Sequence, residues 1–151
     1  MNSYVRPLVD VDFSETLDRC ITSWRGKGLR LGDPIAPHTI VDAWKTFGHK
    51  LSSDVVKLYT TIGGFADYDQ WDGNFWNLWP WDHLIERNRE DPYASGVVFC
   101  DHSLEVCTWV LKYESPSTSS VWLGDVYETA PSLAAFFQRY LTDPKIDLWS
   151  V

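Results

Sequence analysis

From Asp12 onward the apolar positions recur at helical spacing. Phe13, Leu17, Cys20, Ile21 and Trp24 share one 3.6-period face, Asp12 with Glu15 resembles a capping box, and Gly26 and Gly28 end the run. A loop carrying Gly32, Pro34 and Pro37 follows. Ile40, Val41, Trp44 and Phe47 then predict a second short helix closed at Gly48. Ser52 or Ser53 caps a third, whose buried stripe is Val55, Leu58, Tyr59 and Ile62 and whose left-handed stop is Gly63.

Beyond Gly64 the period shortens. Phe75 to Trp79 reads as a strand, with Phe75, Asn77 and Trp79 on one face and Trp76 and Leu78 on the other. Pro80 starts a short helix over Trp81 to Asn88, and a charged loop runs to Gly96. Val97 to Cys100 and Val106 to Tyr113 predict a hairpin. Ser115 to Ser120 is a polar turn, Val121 to Leu123 a third sheet element, and Ala130-Pro131-Ser132 introduces a helix facing the sheet through Leu133, Phe136, Phe137, Tyr140 and Leu141. Helices, an antiparallel sheet and one closing helix make an α+β architecture, expected as a single domain over 1–151.

Composition narrows the function classes. The chain has 151 residues, 44% of them hydrophobic, and 23 aromatics, enough apolar area for a folded core rather than disorder. Its net charge is −8, which argues against direct nucleic-acid binding. No long apolar window is present, and Arg6, Asp10 and Asp12 interrupt the N-terminus where a signal peptide needs an apolar run. A cytoplasmic protein with no membrane partner is expected. Three cysteines fit reduced thiols better than a disulfide framework.

The charge is unevenly placed. Residues 65–105 hold nine acids against Arg87 and Arg89, a net charge of −7, whereas residues 1–64 carry +1 and 106–151 carry −2. Such a cluster produces a field that steers a basic partner.

Cys100, His102 and Cys107 invite a zinc site, but their spacing matches no common one and lacks a fourth ligand, so small buried thiols are expected. No signature surrounds any Cys and His pair for thiol catalysis; His83 reads as lying on an exposed helix. Asp67, Asp69 and Asp72 could imitate a glycosidase dyad, yet acids this close in a loop read as solvated surface. Gly26, Gly28 and Gly32 miss the dinucleotide spacing. Trp71, Phe75, Trp76, Trp79 and Trp81 read as sheet core, with a sugar-stacking platform or peptide groove as the alternative. No enzyme, cofactor or metal is expected.

Three segments resemble one family. Leu51 to Gly64, with its capped helix and double glycine, Phe75 to Ile85, a strand running into a Pro-started helix, and Val97 to Cys107, continuing through Trp109, are similar in order and spacing to the SUKH superfamily over about residues 40–141. The chain departs at Ser52, where Pro is usual, and at His102, where Tyr is usual. The resemblance implies the α+β fold and a non-catalytic immunity protein that neutralises a bacterial toxin, often a nuclease. A regulatory scaffold module of the same fold and a small carbohydrate-binding domain are the alternatives. On this basis Asp67, Asp69, Asp72, Asp101 and Glu105 are the expected electrostatic contacts to a basic toxin, Tyr68 and Trp71 the aromatic anchors, and Gly63 and Gly64 the turn into the acidic loop. A monomer or weak homodimer is expected.

Overall fold

The computed structural model describes residues 12–142, so the expectation for the stretch before Asp12 lies outside the described residues. The chain runs α1 (Phe13–Gly26), α2 (Pro37–Phe47), α3 (Ser53–Thr61), β1 (Trp76–Leu78), α4 (Trp81–Glu90), β2 (Val97–His102), β3 (Cys107–Ser115), β4 (Thr118–Leu123), β5 (Tyr127–Ala130) and α5 (Leu133–Thr142). The strands form one antiparallel meander in the order β1-β2-β3-β4-β5. This is the α+β fold expected, with helices packed on the sheet. Among the described residues no helix is long and apolar enough to cross a membrane.

The helix ends follow local chemistry. Asp12 accepts hydrogen bonds from the Ser14 and Glu15 backbone N–H groups at the start of α1, Pro37 opens α2, and Gly48 closes it in the left-handed region at φ 81°. At α5, Ser132 Oγ accepts from the Ala135 N–H at 3.0 Å. The third helix differs from expectation. Ser52 is its N-cap residue but makes no capping bond, because its hydroxyl is spent on Asp54 Oδ1 at 2.5 Å and Ser119 Oγ at 2.6 Å. Its C-cap is Ile62 in extended conformation, and the positive φ falls at Gly64 rather than Gly63.

Packing assigns the faces. Leu17, Cys20, Ile21 and Trp24 of α1 are buried, as are Ile40 and Trp44 of α2, while Val41 points to solvent. Helix α1 packs on α5, α3 and α5 on β4, and α4 on β2. Trp24, Trp79 and Trp109 are among the largest fully buried side chains. Rings of Trp76, Trp109, Phe99 and Phe136 meet at centroid distances of 4.6 to 5.8 Å, the tilted and edge-on geometries aromatic pairs prefer. Trp81 stacks on Trp44, so the core reading holds for Trp76, Trp79 and Trp81 and fails for Trp71 and Phe75, which are exposed.

The sheet is larger than its sequence pattern suggested. Strand β4 begins at Thr118, inside the expected polar turn, and β5 was not foreseen, since Tyr127-Glu-Thr-Ala130 lacks an apolar run. Strand β1 is shorter, because Phe75 has φ 69° and cannot continue a strand.

Candidate functional site

The acidic segment is positioned by a glycine clasp. Gly32 donates to the Gly64 carbonyl at 2.8 Å and Gly63 to the Gly32 carbonyl at 3.1 Å, while the Trp81 N–H reaches the Gly63 carbonyl at 3.0 Å. A Cβ on Gly64 would lie 2.0 Å from the Trp79 carbonyl oxygen, and one on Gly63 2.5 Å from that of Asp33. Both glycines therefore serve close backbone approach, which brings the loop after α3 onto the edge of β1, where Phe65 N–H pairs with the Leu78 carbonyl at 2.9 Å.

Of the five carboxylates expected to face a partner, two are not on the surface. Asp72 is 2% exposed. Its Oδ1 accepts from the Asn74 and Trp76 N–H groups at 2.8 and 3.1 Å, and its Oδ2 accepts from the Tyr140 hydroxyl, which itself receives the Trp24 indole N–H at 2.7 Å. Asp72 thus ties the loop to α1 and α5, because four residues before β1 an inward carboxylate can satisfy backbone donors that would otherwise be orphaned. Burial, with the Asp72 charge beside it, pushes the Tyr140 hydroxyl far above its ordinary value.

Asp101 is fully buried on β2, opposite Asn77 of β1. Its Oδ2 accepts the Trp79 indole N–H at 2.6 Å and lies 3.3 Å from the Tyr68 hydroxyl, while Oδ1 has no partner among the described residues. Burial raises its pKa, opposed by the bonds from Trp79 and Tyr68. Asn77 is buried too, donating to the Tyr68 and Gln70 carbonyls, with no partner for its own Oδ1 among the described residues. Pairing across β1 and β2 puts both polar residues on one face, so the acid could not be read as exposed once the strand was known.

The remaining acids are mostly engaged. Glu105 accepts from the Tyr68 hydroxyl at 2.6 Å and pairs with Arg87, and Asp67 pairs with Arg30. Only Asp69 of the five is exposed with no partner among the described residues. Tyr68, expected as an anchor, stacks on His83 with centroids 4.0 Å apart, and burial raises its pKa to about 12. His83 is not exposed as expected. It meets the Trp79 ring edge-on and approaches Glu105 at 3.4 Å, and burial followed by the Arg87 cation lowers its pKa. Arg87 lies over the Trp79 ring at 5.4 Å. This cluster clamps loop, hairpin and α4 together.

The thiols are inert in character. Cys20, Cys100 and Cys107 are free and buried, and burial pushes Cys20 up to about 12 and Cys100 well above its ordinary value. His102 Nδ1 lies 2.8 Å from Ser103 Oγ, while Cys100 faces core beside Leu78 and Phe136. Among the described residues no group of three or more His, Cys, Asp and Glu is placed to hold a metal ion.

What remains on the surface is apolar and acidic. Trp71 is 39% exposed, and Phe75 and Leu104 are each 60% exposed; with Ser103 they line a shallow groove. Phe75, Ser103, Leu104 and Glu105 all have φ between 56° and 69°, a conformation that disfavours side chains of their size. The Ser103 N–H bonds to the Phe75 carbonyl at 3.0 Å and joins the two walls. Helix α4 adds Asp82, Glu86 and Glu90, exposed at four-residue intervals and without ion pairs among the described residues. From sequence Trp71 and Phe75 stood within an aromatic run and the α4 acids within the acidic segment, but the part played by Leu104 and the helical stripe were not singled out. The signals were present in a leucine within the connection between the two strands of the expected hairpin and in acids at helical spacing. The chain matches no protein-family model and no curated relative.

Proposed function

We propose that the protein is a non-catalytic binding module that captures a basic protein, serving in the cytoplasm as an immunity protein against a cognate toxin domain of nuclease type. The observation carrying this is the concentration of charge. Residues 65–105 hold a net charge of −7, and Asp69, Asp82, Glu86 and Glu90 stand exposed without ion pairs among the described residues. Like charges at four-residue spacing weaken a helix by about 0.2 to 0.5 kcal/mol per pair, so the α4 stripe is not explained by helix stability. A nuclease needs a basic cleft for phosphates, and an inhibitor presenting carboxylates is drawn to it and associates faster. The resemblance of Leu51–Gly64, Phe75–Ile85 and Val97–Cys107 to the SUKH superfamily supplies the toxin class. With Asp72 and Asp101 buried, the contacts fall to Asp69, Trp71 and the α4 acids.

Co-expression with the product of the adjacent reading frame tests this. The expected result is a stoichiometric complex that suppresses the toxin's activity and whose association rate falls steeply as the screening length shortens to about 8 Å at physiological salt. Turnover of nucleic acids, esters, peptides or glycosides by the purified protein, lost on mutating Glu105 with the fold intact, overturns it.

A further inference from the structure

We propose that the groove between Trp71, Phe75 and Leu104 is an anchor pocket that takes one aliphatic or aromatic side chain presented on a basic polypeptide segment. This deepens the partner-binding function above and rests on it, but on a different observation. The groove walls are apolar side chains held outward by left-handed backbone at Phe75 and Leu104, with Ser103 as the polar floor.

Charge selects the occupant. The two segments that build the groove, 65–86 and 97–111, contain no Lys or Arg. Among the described residues, Arg30 pairs with Asp67, Arg87 with Glu105, and Lys27 donates to the Asp72 carbonyl oxygen at 3.2 Å, so each of these cations is already engaged. An apolar pocket in a segment of net charge −7 repels an anionic lipid surface, and pairing with a second copy would bring two such segments together. A basic segment meets neither cost. Its apolar side chain fills the groove, and flanking lysines or arginines reach Asp69 on the same loop.

The probes are labelled synthetic peptides with leucine between lysines, the same peptide with alanine for leucine, and one with glutamates for lysines, read by anisotropy and by the NMR shift of the Trp71 indole. The toxin domain from the adjacent reading frame is measured in parallel. The leucine–lysine peptide should move the Trp71 resonance and bind at least about tenfold more tightly than its alanine counterpart. The glutamate peptide should not bind. Phe75→Gly and Leu104→Gly suit the left-handed backbone, so both should fold with an unchanged or higher Tm while losing the peptide and speeding toxin dissociation. Equal binding of the leucine and alanine peptides overturns the pocket, as does peptide binding untouched by Phe75→Gly. Concentration-dependent dimerisation abolished by Leu104→Gly overturns it in favour of a second copy. If the toxin binds wild type and Phe75→Gly alike, the pocket falls and the protein remains a toxin binder with its interface elsewhere. Peptide binding without toxin binding leaves the pocket standing and removes the immunity function.

Discussion

Two hairpin turns of the same sheet are built on opposite terms. Between β3 and β4 the chain turns through Pro116 and Ser117, with Ser115 Oγ accepting the Ser117 N–H at 3.3 Å, no positive φ, and the Pro116 carbonyl receiving the Ser53 N–H at 2.8 Å. Its residues are those that turns favour. Between β2 and β3, Ser103, Leu104 and Glu105 all occupy the left-handed region and Leu104 faces water. Left-handed backbone costs a non-glycine residue about 1 to 2 kcal/mol, so this turn persists because its surroundings hold it. The Glu105 contacts to Tyr68 and Arg87 and the Ser103 bond to Phe75 do the holding. Local turn chemistry shapes one end of the sheet, and the other is imposed on an unwilling sequence, as a binding surface would require.

If the strained end is held from beneath, removing its support should have the largest effect. Phe136 packs against Trp76 of β1 and Phe99 of β2, and Phe136→Ala should cost about 3 to 5 kcal/mol in urea unfolding. A midpoint that barely moves would mean the strained end stands without the α5 ring. Asp72→Ala comes next. It removes the acceptor that the Asn74 and Trp76 N–H groups and the Tyr140 O–H share, and should cost about 2 to 3 kcal/mol by the same melts. Were Asp72 a solvated loop carboxylate instead, the variant would be neutral or slightly stabilised.

A glycine placed in each turn then separates the two by sign. Leu104→Gly relieves the backbone and loosens the unfolded chain, for a net gain of about 0.5 kcal/mol, while Ser117→Gly relieves nothing and should lose about as much. Thermal melts of the pair read this directly. Loss of stability in both would show that the Leu104 backbone carries no strain.

Much of this was legible beforehand wherever one residue's chemistry decides locally. Asp12, Gly48 and Pro80 mark helix ends in the chain itself, and the apolar faces of α1 and α5 follow their spacing, while Pro37, read as loop, is the first residue of α2. Asp72 and Asp101 were misjudged because an acid's exposure depends on donors far away in sequence, here Tyr140 and Trp79. Phe75 satisfied a strand pattern that its backbone does not follow, since tertiary contacts from Ser103 and Asp72 override β propensity there. Gly63 and Gly64 read as a left-handed stop and a turn into the acidic loop; the positive φ falls one residue later than expected, and the close backbone approach that both glycines serve depends on Asp33 and Trp79, which the local sequence does not show.

The smallest effect concerns one carboxyl at each end of the sheet, Asp101 buried and Asp54 half-buried. Asp101 lies beneath the strained end, and Asp54, which accepts the Ser119 N–H at 3.1 Å, lies beside the polar turn. Burial raises the pKa of both, against the hydrogen bonds each receives. A carboxyl raised in the folded state contributes stability fully below its unfolded value, about 3.9, and loses it as pH climbs through the raised value. Asp101→Asn and Asp54→Asn remove that loss, so each variant should gain on wild type as pH rises from about 4 toward neutral. The lowered pKa of His83 works the other way, withdrawing stability as pH falls below about 6.5; it is shared by wild type and Asp54→Asn, whereas Asp101→Asn removes a charge that raises the His83 pKa and so lowers it further. At residue 101 the amide has a further consequence. The side chain can still accept from Trp79 and Tyr68, and its NH2 can donate toward Asn77 Oδ1, the unpartnered acceptor opposite it. Asp101→Asn should therefore gain more than Asp54→Asn, whose oxygens already have donors in Ser52 and Ser119. Urea melts across the pH range decide it. If Asp101→Asn runs parallel to wild type throughout, the carboxyl is ionised in the folded protein at all these pH values, and the strained end rests on a buried charge.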